Sequence, residues 1–232
     1  MTPTRPRSAP GGPRLGELAK NIRKDLTVEF RNRYALSVAL AFAAVATIAA
    51  SIALAGTVPA PRVQSALLWI VVFFAAMNGL AHAFVREEEQ GTALFLRLHA
   101  TPHTVLTAKL VFNIALLAAI ETVAIPLFVV FLQLEVRALH SFVAIAAVGC
   151  LCLACAVTVL GAMVARAGGR GALFTVIAFP VVIPALWVLI GATARSLERP
   201  GPFDSGSVLF LLAFSGAMAG VSYLLFEHIW EE

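Results

Sequence analysis

Few side chains in this sequence have the chemistry of a catalytic or metal site, and their spacing argues against one. Cys150, Cys152 and Cys155 lie in one apolar run, where Cys152 and Cys155 share a helix face. No nearby histidine or carboxylate completes a metal site with them. Buried free cysteines pack as small hydrophobic side chains, so we interpret all three as packing residues. The sequence predicts no metal site and no directly bound cofactor.

The chain also has no sequence signature of an enzyme. The phosphate-binding loop of ATPases is absent, because the glycine-rich run 168–171 lacks both the lysine and the spacing of that motif. An intramembrane serine protease needs a Gly-x-Ser nucleophile and a base. Ser215 stands in no such motif, and His228 lies beyond the last apolar run. We therefore predict a protein that is not an enzyme, with ATP hydrolysis left to a partner subunit.

One acidic residue, Glu121, lies near the centre of a long apolar run. A charge at that depth costs about 2.5–3.5 kcal/mol on insertion scales, so we expect Glu121 to face the protein interior or to be protonated. An inter-helix or inter-subunit contact is the favoured interpretation, with Thr158 or Thr175 as possible hydroxyl partners. A proton-coupled substrate path is the alternative.

A charged segment separates two apolar runs and is the strongest candidate for a functional site. Three glutamates end the second run, Gly91 permits a sharp turn, and an apolar stripe follows until Pro102. This pattern predicts a short helix parallel to the membrane, within a hairpin at 85–109, that inserts into a groove on a soluble partner. A solvated loop is the alternative. The residues assigned to coupling are Arg86, Glu87, Glu88, Glu89, Gly91, Thr92, Leu94, Leu98 and Pro102.

The surrounding elements follow from composition and hydropathy. Hydrophobic residues make up 60% of the 232 residues and charged residues 13%, with a mean hydropathy of +0.89. These values exclude an ordinary soluble domain. Six apolar runs are each long enough to cross a bilayer, and they lack the alternation of barrel strands. They cover residues 34–56, 65–84, 110–132, 142–165, 172–194 and 207–226. The predicted fold class is all-α, with six transmembrane helices.

The distribution of basic residues sets the orientation. Thirteen of the 17 lysines and arginines lie before the first run or in the second and fourth connections. The positive-inside rule then places both termini and the charged hairpin in the cytoplasm. The sequence pI of about 9.3 follows from this topology, so no nucleic-acid partner is implied. The three outer connections are too short to fold alone.

Three further segments can be assigned. Residues 1–12 are predicted to be a disordered basic terminus, and 13–33 an amphipathic helix on the cytoplasmic membrane surface. The permease domain then covers 34–228. Within it, Pro126, Pro180 and Pro184 remove backbone donors and should bend their helices. Such bends mark candidate hinges, although static membrane bundles contain them too.

Two blocks of this sequence resemble a known transporter family. The acids, Gly91-Thr92, the apolar stripe, Pro102 and Lys109 resemble the coupling region of ABC-2-type permeases. Arg-Ala-Gly-Gly-Arg-Gly at 166–171, followed by Phe-Pro-Val-Val-Ile-Pro at 179–184, is similar to the CcmB family, the permeases of haem exporters. The resemblance covers about 15–228. One departure is Ala93, where related permeases commonly have an acid.

The resemblance implies a function and a set of partners. A CcmB-like permease pairs with a CcmA-like ATPase, in two copies of each, and associates with CcmC and CcmD in the bacterial inner membrane. ATP and Mg²⁺ bind the partner, and the motion serves haem delivery by releasing haem-loaded CcmE from CcmC. Whether haem contacts this chain stays open. The alternative is an ABC-2 permease exporting a lipid, glycan or drug.

Overall fold

The structure, a computed structural model, describes residues 33–89, 102–166, 171–198 and 203–230, with side chains described for 36–79, 106–160, 180–198 and 203–224. Within those ranges it contains six α-helices and no strand. They are α1 (Arg33–Ala53), α2 (Pro61–Glu89), α3 (Pro102–Phe131), α4 (Leu139–Arg166), α5 (Gly171–Glu198) and α6 (Ser205–Trp230). Each has at least 18 residues apolar enough to cross a membrane. The prediction of an all-α, six-span protein is confirmed.

The predicted N-terminal segments lie outside the described residues, except for Arg33. That residue is the first described residue of α1. The predicted disorder of 1–12 and the amphipathic helix at 13–33 therefore stay predictions.

The helices form one bundle with α2 and α4 at its centre. Most span residues of α2 and α4 are buried, whereas few of those in α1 and α6 are. α1 packs on α2 and α3, and α6 packs mainly on α4 at the other side of the bundle. The largest fully buried side chains are apolar, among them Phe73, Met77, Phe128, Leu153 and Leu189. The exposed faces of α1 and α6 also carry apolar residues, as lipid contact requires.

Hydrogen bonds hold the outer ends of these helices together. The connection from α3 to α4 donates two backbone bonds to one carbonyl of α5, from Arg137 N at 3.2 Å and Ala138 N at 2.9 Å to Ser196 O. Gln64 of α2 donates from Nε2 to Leu132 O at 2.9 Å. Because these bonds join α2, α3, α4 and α5, the outer half of the bundle is fixed by polar contacts as well as by apolar packing.

Candidate functional site

The two helices that flank the charged segment extend beyond their predicted apolar runs. The predicted run of α2 ends at residue 84, yet the helix continues to Glu89. At 1.5 Å per residue, this extension reaches about 8 Å past that run. α3 begins at Pro102, eight residues before the predicted start of the third span, so Lys109 belongs to this helix. The described parts of the predicted hairpin are thus continuations of the two spans.

Local sequence explains where α2 and α3 begin. Proline suits the first position of a helix, because the missing N–H has no helical partner there and φ is already fixed. Pro61 and Pro102 occupy this position in α2 and α3. Helical hydrogen bonding does not require apolar side chains, so the helices extend into polar sequence at their cytoplasmic ends.

The end of α2 that is predicted to be cytoplasmic carries an unfavourable arrangement of charge. Glu87, Glu88 and Glu89 form its last residues, where unpaired carbonyls give the helix a partial negative charge. Carboxylates at this end interact unfavourably with the helix dipole, and they repel one another. A cationic surface on a partner would relieve that repulsion, so this end is suited to contact a basic groove.

The coupling residues fall into two groups. Arg86 and the three glutamates lie in the last turn of α2, and Pro102 begins α3. Gly91, Thr92, Leu94 and Leu98 lie outside the described residues. The short amphipathic helix that they were predicted to form stays a prediction.

Inside the membrane, Glu121 lines a small cavity where four helices meet. Its side chain is 7% exposed, and its Oε1 has no hydrogen-bond partner among the described residues. The cavity, about 10 Å³ in volume, is also lined by Trp69, Phe142 and Thr193. That volume is close to what one water molecule requires. Glu121 therefore faces the protein interior, as the sequence predicts.

Of the two hydroxyl partners suggested for Glu121, Thr158 has hydrogen bonds to other residues. Thr158 accepts a hydrogen bond from Asn113 Nδ2 at 2.7 Å and donates to Ala154 O at 2.7 Å. Thr193 lines the Glu121 cavity instead. The side chain of Thr175 lies outside those described.

Trp69 also lines the Glu121 cavity and is hydrogen-bonded to Thr193. Sequence reasoning did not identify it. Its Nε1 donates to Thr193 Oγ1 at 2.9 Å, joining α2 to α5 across 124 positions of sequence. Gly149 of α4 makes room for the indole, since a Cβ there would collide with Trp69 and would lie 2.8 Å from Leu189 Cδ2. A tryptophan and a threonine in separate apolar runs carry no pairing signal by themselves.

Comparison with protein-family models matches residues 17–226 to the CcmB protein family. The chain belongs to the CcmB family. The matched region contains all six described helices up to the last residues of α6, together with the charged segment between α2 and α3. Comparison with curated protein sequences gives no match. As a CcmB protein with six apolar helices, the chain is a multi-pass membrane permease of the haem exporter type.

The cysteines of this CcmB protein are packing residues of α4. Cys150, Cys152 and Cys155 are buried and free, and the Cys150 thiol lies 3.6 Å from Ile114 O. In the described ranges, no three histidine, cysteine or acidic side chains come together as a metal site. Ser215 is also engaged locally, since its hydroxyl donates to Leu211 O at 2.7 Å.

The three prolines lie inside continuous helices. Pro126 is in α3, and Pro180 and Pro184 are in α5; all three are exposed on the surface of the bundle. Each removes one backbone donor from its helix. Their role as hinges in this CcmB protein stays a prediction.

Proposed function

We propose that this CcmB protein is the permease subunit of an ABC complex that serves cytochrome c maturation in the bacterial inner membrane. A CcmA-like subunit hydrolyses ATP, because this chain lacks a phosphate-binding loop. Two copies of each subunit assemble with CcmC and CcmD, and the resulting motion releases haem-loaded CcmE from CcmC.

The observation that carries the proposal is the cytoplasmic extension of α2, taken with the family match. This extension ends in Glu87, Glu88 and Glu89, close to the segment that was assigned to coupling from sequence. A rigid helix with acids at its tip can bind a basic groove and transfer the displacement of that groove into the bundle. The hydrogen bonds among α2, α3 and α5 at the outer side give this helix a fixed base.

The test is a release assay in cells that express this chain with its candidate ATPase, CcmC, CcmD and CcmE. The variant Glu87/Glu88/Glu89→Gln removes three charges and keeps side-chain volume. We expect it to insert normally but to lose release of haem-loaded CcmE. Glu135→Gln is the matched control, because Glu135 is an exposed acid in the connection from α3 to α4.

The outcomes separate the proposal from its alternative. Normal release by the triple variant would exclude coupling through these acids. If even the wild-type chain gives no more release or cytochrome c than cells that lack it, the maturation role fails. Export of a lipid, glycan or drug by an ABC-2 mechanism then becomes the leading function. Neither function requires haem to contact this chain.

A further inference from the structure

A groove opens at the outer side of the bundle, away from the coupling segment and from the Glu121 cavity. Its volume is about 310 Å³, at the lower end of the range for small-molecule sites. Three helices contribute to its lining: Arg62 comes from α2, Ser207 from α6, and Trp187, Gly191, Arg195 and Glu198 from α5. Neither the family match nor the coupling proposal assigns it a role.

The two arginines of the groove differ in how they are paired. Arg195 is neutralised, because its Nε donates to Asp204 Oδ2 at 3.1 Å and its Nη2 donates to Ser207 Oγ at 2.8 Å. Arg62 has no carboxylate partner in the described part of the chain, and its Cζ lies 5.8 Å from the centroid of the Trp187 ring. Among the described residues, Arg62 is therefore the cation of the groove that can pair with a ligand. The carboxylate of Glu198 supplies a negative charge in the same groove.

The groove extends from the membrane surface towards the acyl chains. Arg62 is the second residue of α2, and Glu198 ends α5, so both lie at the outer end of the bundle. Trp187 lies eleven residues before that end of α5, but its ring reaches back to 5.8 Å from Arg62 Cζ and so lies directly beside the charged part of the groove. Its side chain is 69% exposed. A charged upper part and an apolar lower part match the two ends of a membrane lipid, whereas a soluble anion would use only the upper part.

We propose that this groove binds one phospholipid of the outer leaflet, of the zwitterionic class that carries a primary amine. The phosphate pairs with Arg62, the ammonium pairs with Glu198, and the upper acyl chain lies against Trp187. An arginine guanidinium forms charge-assisted hydrogen bonds to phosphate oxygens, which is the contact proposed for Arg62. Because Asp204 cancels Arg195, the remaining opposite charges match a zwitterion better than a lipid with a net negative charge.

Gly191 supplies a test that leaves every charge in place. A Cβ at this position would meet only Arg195 Nη1, at 3.4 Å, so Gly191→Ala fits with ordinary contact. Gly191→Leu places its side chain in the groove itself. The full-length chain is reconstituted in nanodiscs containing phosphatidylethanolamine and phosphatidylglycerol, and native mass spectrometry counts the lipid that stays bound. We expect about one phosphatidylethanolamine per chain for wild type and Gly191→Ala, and an approximately tenfold loss for Gly191→Leu.

Charge variants test which lipid is chosen. Arg62→Gln removes one charge-assisted hydrogen bond and should lower lipid occupancy about tenfold. Glu135→Gln is the control, since Glu135 is an exposed charged residue on the same side that pairs with Arg137 and does not line the groove. Glu198→Gln should abolish the preference for phosphatidylethanolamine over phosphatidylglycerol while keeping a bound lipid.

Two results would overturn the proposal. Equal lipid retention by Gly191→Leu, Gly191→Ala and wild type would show only annular lipid. Displacement of the lipid by inorganic phosphate or by glycerophosphoethanolamine would show that a soluble headgroup suffices. The measurement uses this chain without its partners, so failure here is independent of the proposed role in cytochrome c maturation.

Discussion

At the scale of single residues, the membrane interior of this protein contains polar side chains that are paired across helices. Trp69 donates to Thr193, and Asn113 donates to Thr158. Such pairing is expected, because an unsatisfied polar group in a water-free interior loses the free energy of its hydrogen bonds with water. Glu121, Ser141 and Ser222 are exceptions in the described part of the chain, since each has a buried side-chain oxygen without a hydrogen-bond partner.

Substitution of Glu121 separates a packing role from a proton-transfer role. We expect Glu121→Gln to keep both membrane insertion and cytochrome c yield, because the amide has nearly the same volume and avoids burial of a charge. Glu121→Ala should lower the free energy of unfolding by about 2–3 kcal/mol through the enlarged cavity. Thermal unfolding and cytochrome c yield are measured for both. Loss of yield by a well-folded Glu121→Gln protein would instead support the proton-coupled path.

The close contact between Gly149 and Trp69 gives a second residue-level prediction. We expect Gly149→Ala to lower the free energy of unfolding by about 1–3 kcal/mol, because the new methyl group must displace the buried indole. Gly216→Ala is the matched control, since no atom lies within 4 Å of a Cβ built there. Both are measured by thermal unfolding in detergent. Equal stability of the two variants would show that the Trp69 pocket adapts without cost.

At the scale of the elements, the start of α6 shows how an outer connection is stabilised. Asp204 precedes the helix, and its Oδ1 accepts a hydrogen bond from Ser207 N at 3.2 Å, the arrangement of a helix N-cap. Its other carboxylate oxygen binds Arg195 of α5. Burial raises the pKa of Asp204, but the hydrogen bonds from Arg195 and Ser207 outweigh burial and hold that pKa below its ordinary value.

This lowered pKa makes the contact sensitive to acid. The ionised Asp204 carboxylate stabilises the folded protein fully above the ordinary aspartate pKa of about 3.9. This stabilisation is lost as the pH falls through the lower pKa of Asp204 in the folded state. Asp204→Asn keeps a good capping residue and removes the ion pair, so we expect it to cost about 0.5–1 kcal/mol at pH 7. The difference in thermal midpoint from wild type should shrink at about pH 3. A difference independent of pH would exclude the charge as its cause.

Sequence reasoning succeeded best for the helices and least for their contacts. The apolar runs located every described helix, because the bilayer imposes length and composition on each span. The apolar runs do not give the helix ends: α3 extends from Pro102, eight residues before the run predicted to begin at 110, because polar residues can continue a helix. Proline at the first helical position was an available signal. The Trp69 pair and the groove at Arg62 depend on how distant helices pack, which one sequence does not encode locally.

At the scale of the whole molecule, the two sides of the bundle differ in construction. Short outer connections are bonded to neighbouring helices, as at Ser196, where two backbone donors meet one carbonyl. On the other side, α2 continues past its predicted apolar run to Glu89. The basic residues predict that this second side is cytoplasmic.

Cysteine labelling in spheroplasts tests that orientation. The three native cysteines are buried, so we expect a low background with a membrane-impermeant maleimide. Thr57→Cys, in the exposed connection from α1 to α2, should react in intact spheroplasts. Gln90→Cys, just after α2, should react only after permeabilisation. The reverse order of reactivity would mean that the topology is inverted.

The length of α2 has a mechanical consequence. Its outer end is held where Gln64 binds Leu132 O, and its acidic end is 25 residues away. At 1.5 Å per residue that distance is about 38 Å, so a tilt of about 5° around Gln64 moves the tip by about 3 Å. In the proposed coupling, the helix would act as a rigid rod that pivots at its outer end. If the tip of α2 moves by a few ångströms, Trp69 moves by about a fifth of that distance.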